Sequence, residues 1–138
     1  MVERLVFLVD TNVWLELLLE QERAQEVRQF FQDKEAADIS ITEFSLYSIA
    51  VILSRLKKDT IFEDFLSDTI EDSGISRIVL TATDLKSTIA LRRRFRLDFD
   101  DAYQYVAAEK YNLTIVSFDR DFDGTERGKK TPAEILKK

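Results

Sequence analysis

The stretch that decides the fold lies near the start of the chain: LVFLV at residues 5–9, followed at once by DTN at residues 10–12. An unbroken apolar run of this length is typical of a parallel strand that is buried on both faces. The three polar residues that follow end the strand and can cap a helix over residues 13–20. The pattern therefore predicts a strand that leads directly into a helix.

The same alternation of strand and helix continues along the chain. Further strands are predicted at residues 38–41, 77–80 and 113–116. Helices are predicted at about residues 24–31, 42–57, 60–73, 81–95 and 101–111, with a last helical turn after residue 131. Strands that alternate with helices form a parallel sheet covered on both faces. We therefore predict a three-layer α/β/α fold with a parallel sheet, Rossmann-like in its layering.

Composition narrows the chemistry that this chain can perform. Its 138 residues include no histidine and no cysteine, which excludes disulfides, thiolate nucleophiles and histidine-containing metal sites. An enzyme of this composition works with carboxylates, hydroxyls, Lys, Arg or a metal. No repeat, low-complexity tract or linker interrupts the sequence, so a single domain over residues 1–138 is expected.

Two observations bear on location and partners. The first residues lack the regions of a signal peptide, and the apolar stretch at residues 13–19 is too short to span a bilayer. A cytoplasmic protein without membrane contact is therefore expected. The formal charge of −6 argues against a nonspecific nucleic-acid coat protein, but not against an enzyme that binds a phosphodiester through cations.

Four acidic residues lie at or just after the ends of apolar runs: Asp10, Glu43, Asp101 and Asp119. In open parallel sheets, ligands bind outside the carboxyl ends of the strands, and the predicted elements place all four acids at that edge. Like charges that converge there repel one another unless they share protons or bind a hard cation. The arrangement predicts a carboxylate-lined site for Mg²⁺ or Mn²⁺.

Each of these acids also has a purely structural interpretation. Glu43 completes a capping-box pattern, Asp100 and Asp101 suit the positive end of a helix dipole, and Asp119 suits a turn. Asp10 is the hardest to explain in this way, because an acid that ends an apolar strand lies in the crevice of the sheet.

The joint pattern is more specific than its parts. Segments in the same order and spacing occur in the PIN domain family, and the sequence resembles that family in VDTN at 9–12, Glu43, DDA at 100–102, IVSFDRDF at 115–122 and TPAE at 131–134. The resemblance covers nearly the whole chain, and compact PIN proteins of the VapC toxin type have about this length. It implies a PIN-like fold with a parallel sheet of about five strands, and a metal-dependent ribonuclease that hydrolyses RNA phosphodiester bonds with Mg²⁺ or Mn²⁺.

The resemblance also assigns roles residue by residue. The catalytic acids of the family match Asp10, Glu43, Asp101 and Asp119, of which Asp10, Asp101 and Asp119 are the implied metal ligands. Whether Glu43 ligates directly or orients a water is left open. An accessory acid and two hydroxyl residues complete the implied cofactor-binding set: Asp121, Thr11 and Ser117. In the third motif the ligand immediately precedes Ala102, which leaves Asp100 as the predicted helix N-cap.

Partners follow from the same resemblance. The implied substrate is RNA, and the implied protein partners are a small antitoxin and a second copy of the chain, as in the toxin of a toxin–antitoxin pair. A catalytically silent interaction module and an RNA-maturation nuclease are alternatives, and a phosphatase-like domain is a more distant one.

Three further features have two interpretations each. The apolar helix at 42–57 is interpreted as buried on nearly every side, either in a central core or at a dimer face. Trp14 is interpreted either as part of the core or as part of a groove for the antitoxin. Arginines at 92–94 and 96 are either solvated or bind RNA.

Overall fold

A parallel sheet forms the centre of the protein. The computed structural model describes residues 6–136, and within them the strands are Phe7–Val9 (β1), Ile39–Thr42 (β2), Ser76–Ile78 (β3) and Thr114–Val116 (β4). Every pairing is parallel, and the order is β3-β2-β1-β4. The sheet thus has four strands in the described residues where about five were predicted, and the predicted start of β1 at Leu5 lies outside them.

Helices connect the strands and cover both faces of the sheet, as predicted. They are Thr11–Leu18 (α1), Ala24–Asp33 (α2), Glu43–Arg55 (α3), Asp59–Phe65 (α4), Ala82–Phe95 (α5), Phe99–Tyr111 (α6) and Pro132–Leu136 (α7). Short 3₁₀ turns occur at Ala36–Asp38 and Arg120–Gly124, and a π-helical segment at Leu66–Glu71 extends α4. None of the helices within residues 6–136 is long and apolar enough to cross a membrane.

Two hydrophobic cores, one on each face of the sheet, produce the three layers. Side chains alternate along a strand, so Phe7 and Val9 pack against the layer formed by α1 to α4, whereas Leu8 packs against α5 and α6. Trp14 belongs to the first core and is stacked on Phe31, with ring centroids 4.6 Å apart. The core interpretation of Trp14 is therefore confirmed.

Helix α3 differs from its prediction. Its inner side buries Leu46, Ile49 and Leu53 in the core, but Tyr47 and Val51 on the outer side are 55% and 47% exposed. Burial of this helix in a central core is thus not observed, whereas its place at a dimer face stays a prediction. The helix covers one face of the sheet and presents an apolar outer face to solvent.

The starts of two helices also correct the sequence interpretation. In α3 the Thr42 hydroxyl caps the helix by accepting a hydrogen bond from the Ser45 N–H at 3.0 Å, so Glu43 does not complete a capping box with Ser40. Helix α6 begins at Phe99, with the N-cap position one residue earlier. The predicted N-cap role of Asp100 is therefore wrong, because this residue lies inside the first turn.

Candidate active site

Three elements bring acidic side chains to the carboxyl edge of the sheet. Asp10 ends β1 and is the N-cap of α1, Asp119 follows β4, and Asp101 lies in the first turn of α6. They line one pocket of about 290 Å³. The complete lining is Asp10, Thr11, Asn12, Leu15, Phe44, Ser48, Ile52, Asp100, Asp101, Gln104 and Asp119.

The Asp10 carboxylate is held by four hydrogen-bond donors. Its Oδ1 accepts from the Thr11 N–H at 2.8 Å and from Gln104 Nε2 at 3.0 Å. Its Oδ2 accepts from Ser117 Oγ at 2.8 Å and from Asn12 Nδ2 at 3.4 Å. Burial raises the pKa of Asp10 above its ordinary value, while the hydrogen bonds from Gln104, Ser117 and Thr11 act in the opposite direction. The carboxylate is thus fixed in orientation by neutral groups alone.

Ser117 and Asn12 join the ends of β1 and β4. The Ser117 hydroxyl is fully buried, and besides donating to Asp10 it accepts from the Asp119 N–H at 3.0 Å and from Asn12 Nδ2 at 3.2 Å. The Asn12 side-chain oxygen accepts from the Phe118 N–H at 3.1 Å. Ser117, predicted to bind the cofactor, therefore contacts the Asp10 carboxylate and the backbone of Asp119.

A second set of polar residues lies beside Asp10, and of these Thr11 was predicted at the site whereas Gln104, Thr42 and Ser45 were not. The Gln104 amide contacts the hydroxyls of Thr42 and Ser45, and the Thr11 hydroxyl donates to Ser45 Oγ at 2.8 Å. One signal was available: Gln104 follows Asp101 by three residues, so the two share one face of a helix. Ser45 offered a weaker signal, because it lies only three residues after the end of β2 at Thr42.

Asp101, Asp119 and Asp121 form the tightest acidic group. One carboxylate oxygen from each lies within 4.8 Å of the other two. Burial, a hydrogen bond shared with Asp119, and the charges of Asp119, Asp100 and Asp10 raise the pKa of Asp101 to about 8. The charge of Asp119 likewise raises the pKa of Asp121. Repulsion between carboxylates is thus relieved by a proton on Asp101 when no cation is present.

Glu43 lies apart from this group. Its Oε1 accepts from the Tyr47 hydroxyl at 2.6 Å and faces Arg77 at 3.4 Å, and the residue does not line the acidic pocket. From α3, the pocket is lined by Phe44, Ser48 and Ile52, whereas Ser45 contacts Thr11 and Gln104 beside it. The role predicted for Glu43 therefore stays a prediction, and the predicted site acids that lie together are Asp10, Asp101, Asp119 and Asp121.

The arginines at 92–94 and 96 are exposed, and none of them lines the acidic pocket. Arg92, Arg93 and Arg94 form the exposed last turn of α5, and Arg94 is paired with Glu126. Arg96 is exposed and adopts the left-handed conformation that ends the helix. Binding of RNA by these arginines stays a prediction.

The family model described as the PIN domain matches residues 7–128. The chain belongs to the PIN domain family. Among curated protein sequences, no significant match is found.

Solved structures similar to this PIN domain include bacterial toxin–antitoxin proteins. A toxin–antitoxin complex from Klebsiella pneumoniae is 21% identical, with a TM-score of 0.71 over 91% of this chain and 96% of that chain. VapC20 from Mycobacterium tuberculosis, a toxin that cleaves the sarcin–ricin loop, is 17% identical, with a TM-score of 0.76 over 88% and 95%. FitAcB from Neisseria gonorrhoeae is 18% identical, with a TM-score of 0.73 over 93% and 99%. At these identities the likeness confirms the fold.

The residues of this PIN domain fit a divalent cation. The donor set consists of carboxylate oxygens, which are the ligands that Mg²⁺ and Mn²⁺ prefer. Burial raises the pKa of Asp101, and the nearby charges of Asp119, Asp100 and Asp10 add to the effect, because like charges disfavour the ionised form. A cation between them would relieve that repulsion.

The raised pKa of Asp101 predicts how the stability of the metal-free protein depends on pH. At pH values between its ordinary pKa of 3.8 and its folded pKa of about 8, a larger fraction of Asp101 is protonated in the folded state than in the unfolded state. Its stabilising contribution is therefore complete at acid pH and is lost as the pH rises through about 8. We expect the Tm in EDTA to fall between about pH 5.5 and about pH 8.5.

Thermal unfolding of wild type and Asp101→Asn across this pH range checks the prediction. The variant has no titrating group at this position, so its Tm should depend less on pH. An equally steep decline in both proteins would mean that Asp101 is not the group responsible.

Proposed function

We propose that this PIN domain is a metal-dependent ribonuclease that hydrolyses RNA phosphodiester bonds with Mg²⁺ or Mn²⁺. The single observation that carries the proposal is the group formed by Asp101, Asp119 and Asp121 beside a buried Asp10, in a chain without histidine or cysteine. Nuclease activity is the common property of PIN domains of the VapC type, and RNA cleavage by the similar VapC20 supports the choice of RNA as substrate.

Asp10, Asp101 and Asp119, with Asp121 at the exposed mouth, would hold the cation. When bound, it supplies Lewis-acid activation of water and neutralises negative charge on the scissile phosphate. Asp101 has to release its proton before both of its oxygens are available as ligands, because protonated carboxyls bind metals poorly. Cation binding should therefore tighten as the pH rises towards the pKa of Asp101.

The other site residues prepare the acids for this task. Ser117 and Asn12 connect the Asp10 carboxylate to the backbone of the segment that carries Asp119. Thr11 contributes its backbone N–H to Asp10 and its hydroxyl to the polar group behind it. These contacts exclude alternative rotamers of Asp10, and a fixed ligand loses little conformational entropy on binding.

We further propose that the protein is the toxin of a cytoplasmic toxin–antitoxin pair, inhibited by a small antitoxin. The toxin–antitoxin complexes among the similar structures support this role. A homodimer is also proposed, since the outer face of α3 exposes Tyr47, Val51 and Leu56 to solvent. Apolar side chains clustered on a surface are typical of protein contacts.

The test of the proposed function is cleavage of single-stranded RNA by purified protein that has been freed of any partner. We expect cleavage with Mg²⁺ or Mn²⁺, complete loss after excess EDTA, and recovery when the cation is restored, because only the cation is removed and replaced. Full activity in excess chelator would exclude the metal-dependent mechanism.

A further inference from the structure

Gln104 is a buried polar side chain that takes part in no chemical step of the proposed reaction. It is only 2% exposed and lies on α6, three residues after Asp101. Buried amides lower stability unless their hydrogen-bonding groups are satisfied. The contacts of this amide therefore indicate what it does at the site.

The contacts of Gln104 fix the orientation of its amide. Its Oε1 accepts from the Thr42 hydroxyl at 2.7 Å, whereas its Nε2 donates to Asp10 Oδ1 at 3.0 Å and to Ser45 Oγ at 2.8 Å. Both N–H groups and the oxygen are thus used. In the flipped orientation the amide oxygen would face the Asp10 carboxylate, and two acceptors would repel each other. The network consequently allows one orientation, with the donors towards Asp10.

The groups around Gln104 come from separate elements. Thr42 ends β2 and caps α3, Ser45 lies in the first turn of α3, and Thr11 begins α1 and donates to Ser45. Gln104 itself belongs to α6, in the layer on the opposite face of the sheet. The amide therefore connects Asp10 to both helical layers.

We propose that Gln104 is a positioning residue of this site, whose amide holds the Asp10 carboxylate in place before a divalent cation binds. The inference rests on the proposed function and extends it to a residue whose amide groups are all engaged by protein partners. Hydrogen-bond partners of metal ligands typically change metal affinity or activity by about 10-fold to 100-fold when they are replaced. An effect of that size is expected here.

Gln104→Met tests the inference, because Met has nearly the volume of Gln but no amide. We expect calorimetric titration of the metal-free variant to give a Kd for Mn²⁺ at least about tenfold weaker than that of wild type. The kcat/KM for RNA cleavage at limiting Mn²⁺ should fall by a similar factor. Rising Mn²⁺ concentration should restore part of the activity, which a loss of folded protein would not allow.

Val106→Ala is the matched control. This residue is buried on the same helix and packs in the hydrophobic core beneath α5 and α6, so its truncation lowers stability without a contact to Asp10. We expect its Tm to fall and its Mn²⁺ affinity to remain within about twofold of wild type, since cavity formation acts on stability.

Three results would overturn the inference: a Gln104→Met variant that binds Mn²⁺ as wild type does, an equal loss of affinity in Val106→Ala, or a wild type that binds no Mn²⁺. If Gln104→Met does not fold, Gln104→Asn replaces it. That variant keeps an amide but is one methylene too short to reach from Thr42 to Asp10, and unchanged affinity would again overturn the inference. A wild type that binds Mn²⁺ but cleaves no RNA refutes the proposed function alone, and the affinities still decide the role of Gln104.

Discussion

Asp101→Asn should abolish RNA cleavage while raising the stability of the metal-free protein. The variant removes a cation ligand, and loss of charge stabilisation of about 4 kcal/mol corresponds to a roughly thousandfold lower kcat/KM. The amide can still donate to Asp119, as the protonated carboxyl does in the wild type. Because one of several repelling acids is gone, we expect a higher Tm in EDTA at pH 8.

Asp100→Asn is the matched control for this variant, since it makes the same chemical change at the neighbouring position. Asp100 is exposed, and its only hydrogen bond described is from the Asp101 N–H to its Oδ1, at 3.0 Å. We expect most of the activity to remain and the Tm to change little. An inactive Asp100→Asn beside an active Asp101→Asn would show that the third motif has been assigned to the wrong aspartate.

Asp10→Asn should also abolish cleavage, but with the opposite effect on stability. Four donors face the two oxygens of this carboxylate, and an amide offers only one oxygen to accept from them. Its NH₂ group would face Ser117 and Asn12, so a buried donor loses its acceptor. Such a mismatch lowers the free energy of unfolding by about 1–3 kcal/mol.

Urea unfolding of Asp10→Asn and Asp101→Asn in EDTA, together with RNA cleavage rates, measures this contrast. Both variants replace one carboxyl group of the same pocket with an amide, so a general effect of this exchange would change both stabilities alike. If Asp10→Asn proved as stable as Asp101→Asn, the four hydrogen bonds would not hold Asp10 as the structure indicates.

The parts of the fold that depend on local sequence could be predicted. The run at residues 5–9 indicated β1 because a strand buried on both faces needs apolar residues without interruption. The same logic located β4 and placed Asp10 and Asp119 at one edge of the sheet. The start of α6 was harder, because three acids in the segment DFDD can each precede or begin a helix, and tertiary packing decides between them.

The contents of the site could be predicted less completely, because orientation depends on neighbours from distant parts of the chain. Glu43 and Ser45 lie two residues apart in the first turn of α3, so their side chains leave the helix in directions about 200° apart. Only the packed structure shows that the Ser45 hydroxyl contacts Thr11 and Gln104 while the Glu43 carboxylate faces Arg77. Gln104 was missed because its three partners come from other segments of the chain.

Calorimetric titration of the metal-free protein with Mn²⁺, repeated in buffers of different ionisation enthalpy, tests the central claim most directly. At pH 7 the raised pKa of Asp101 keeps its carboxyl largely protonated, so binding should release roughly one proton per cation. Near pH 9 the release should be much smaller, and in Asp101→Asn it should disappear along with tight binding. Absence of Mn²⁺ binding, or binding without proton release at pH 7, would contradict a cation site built on these carboxylates.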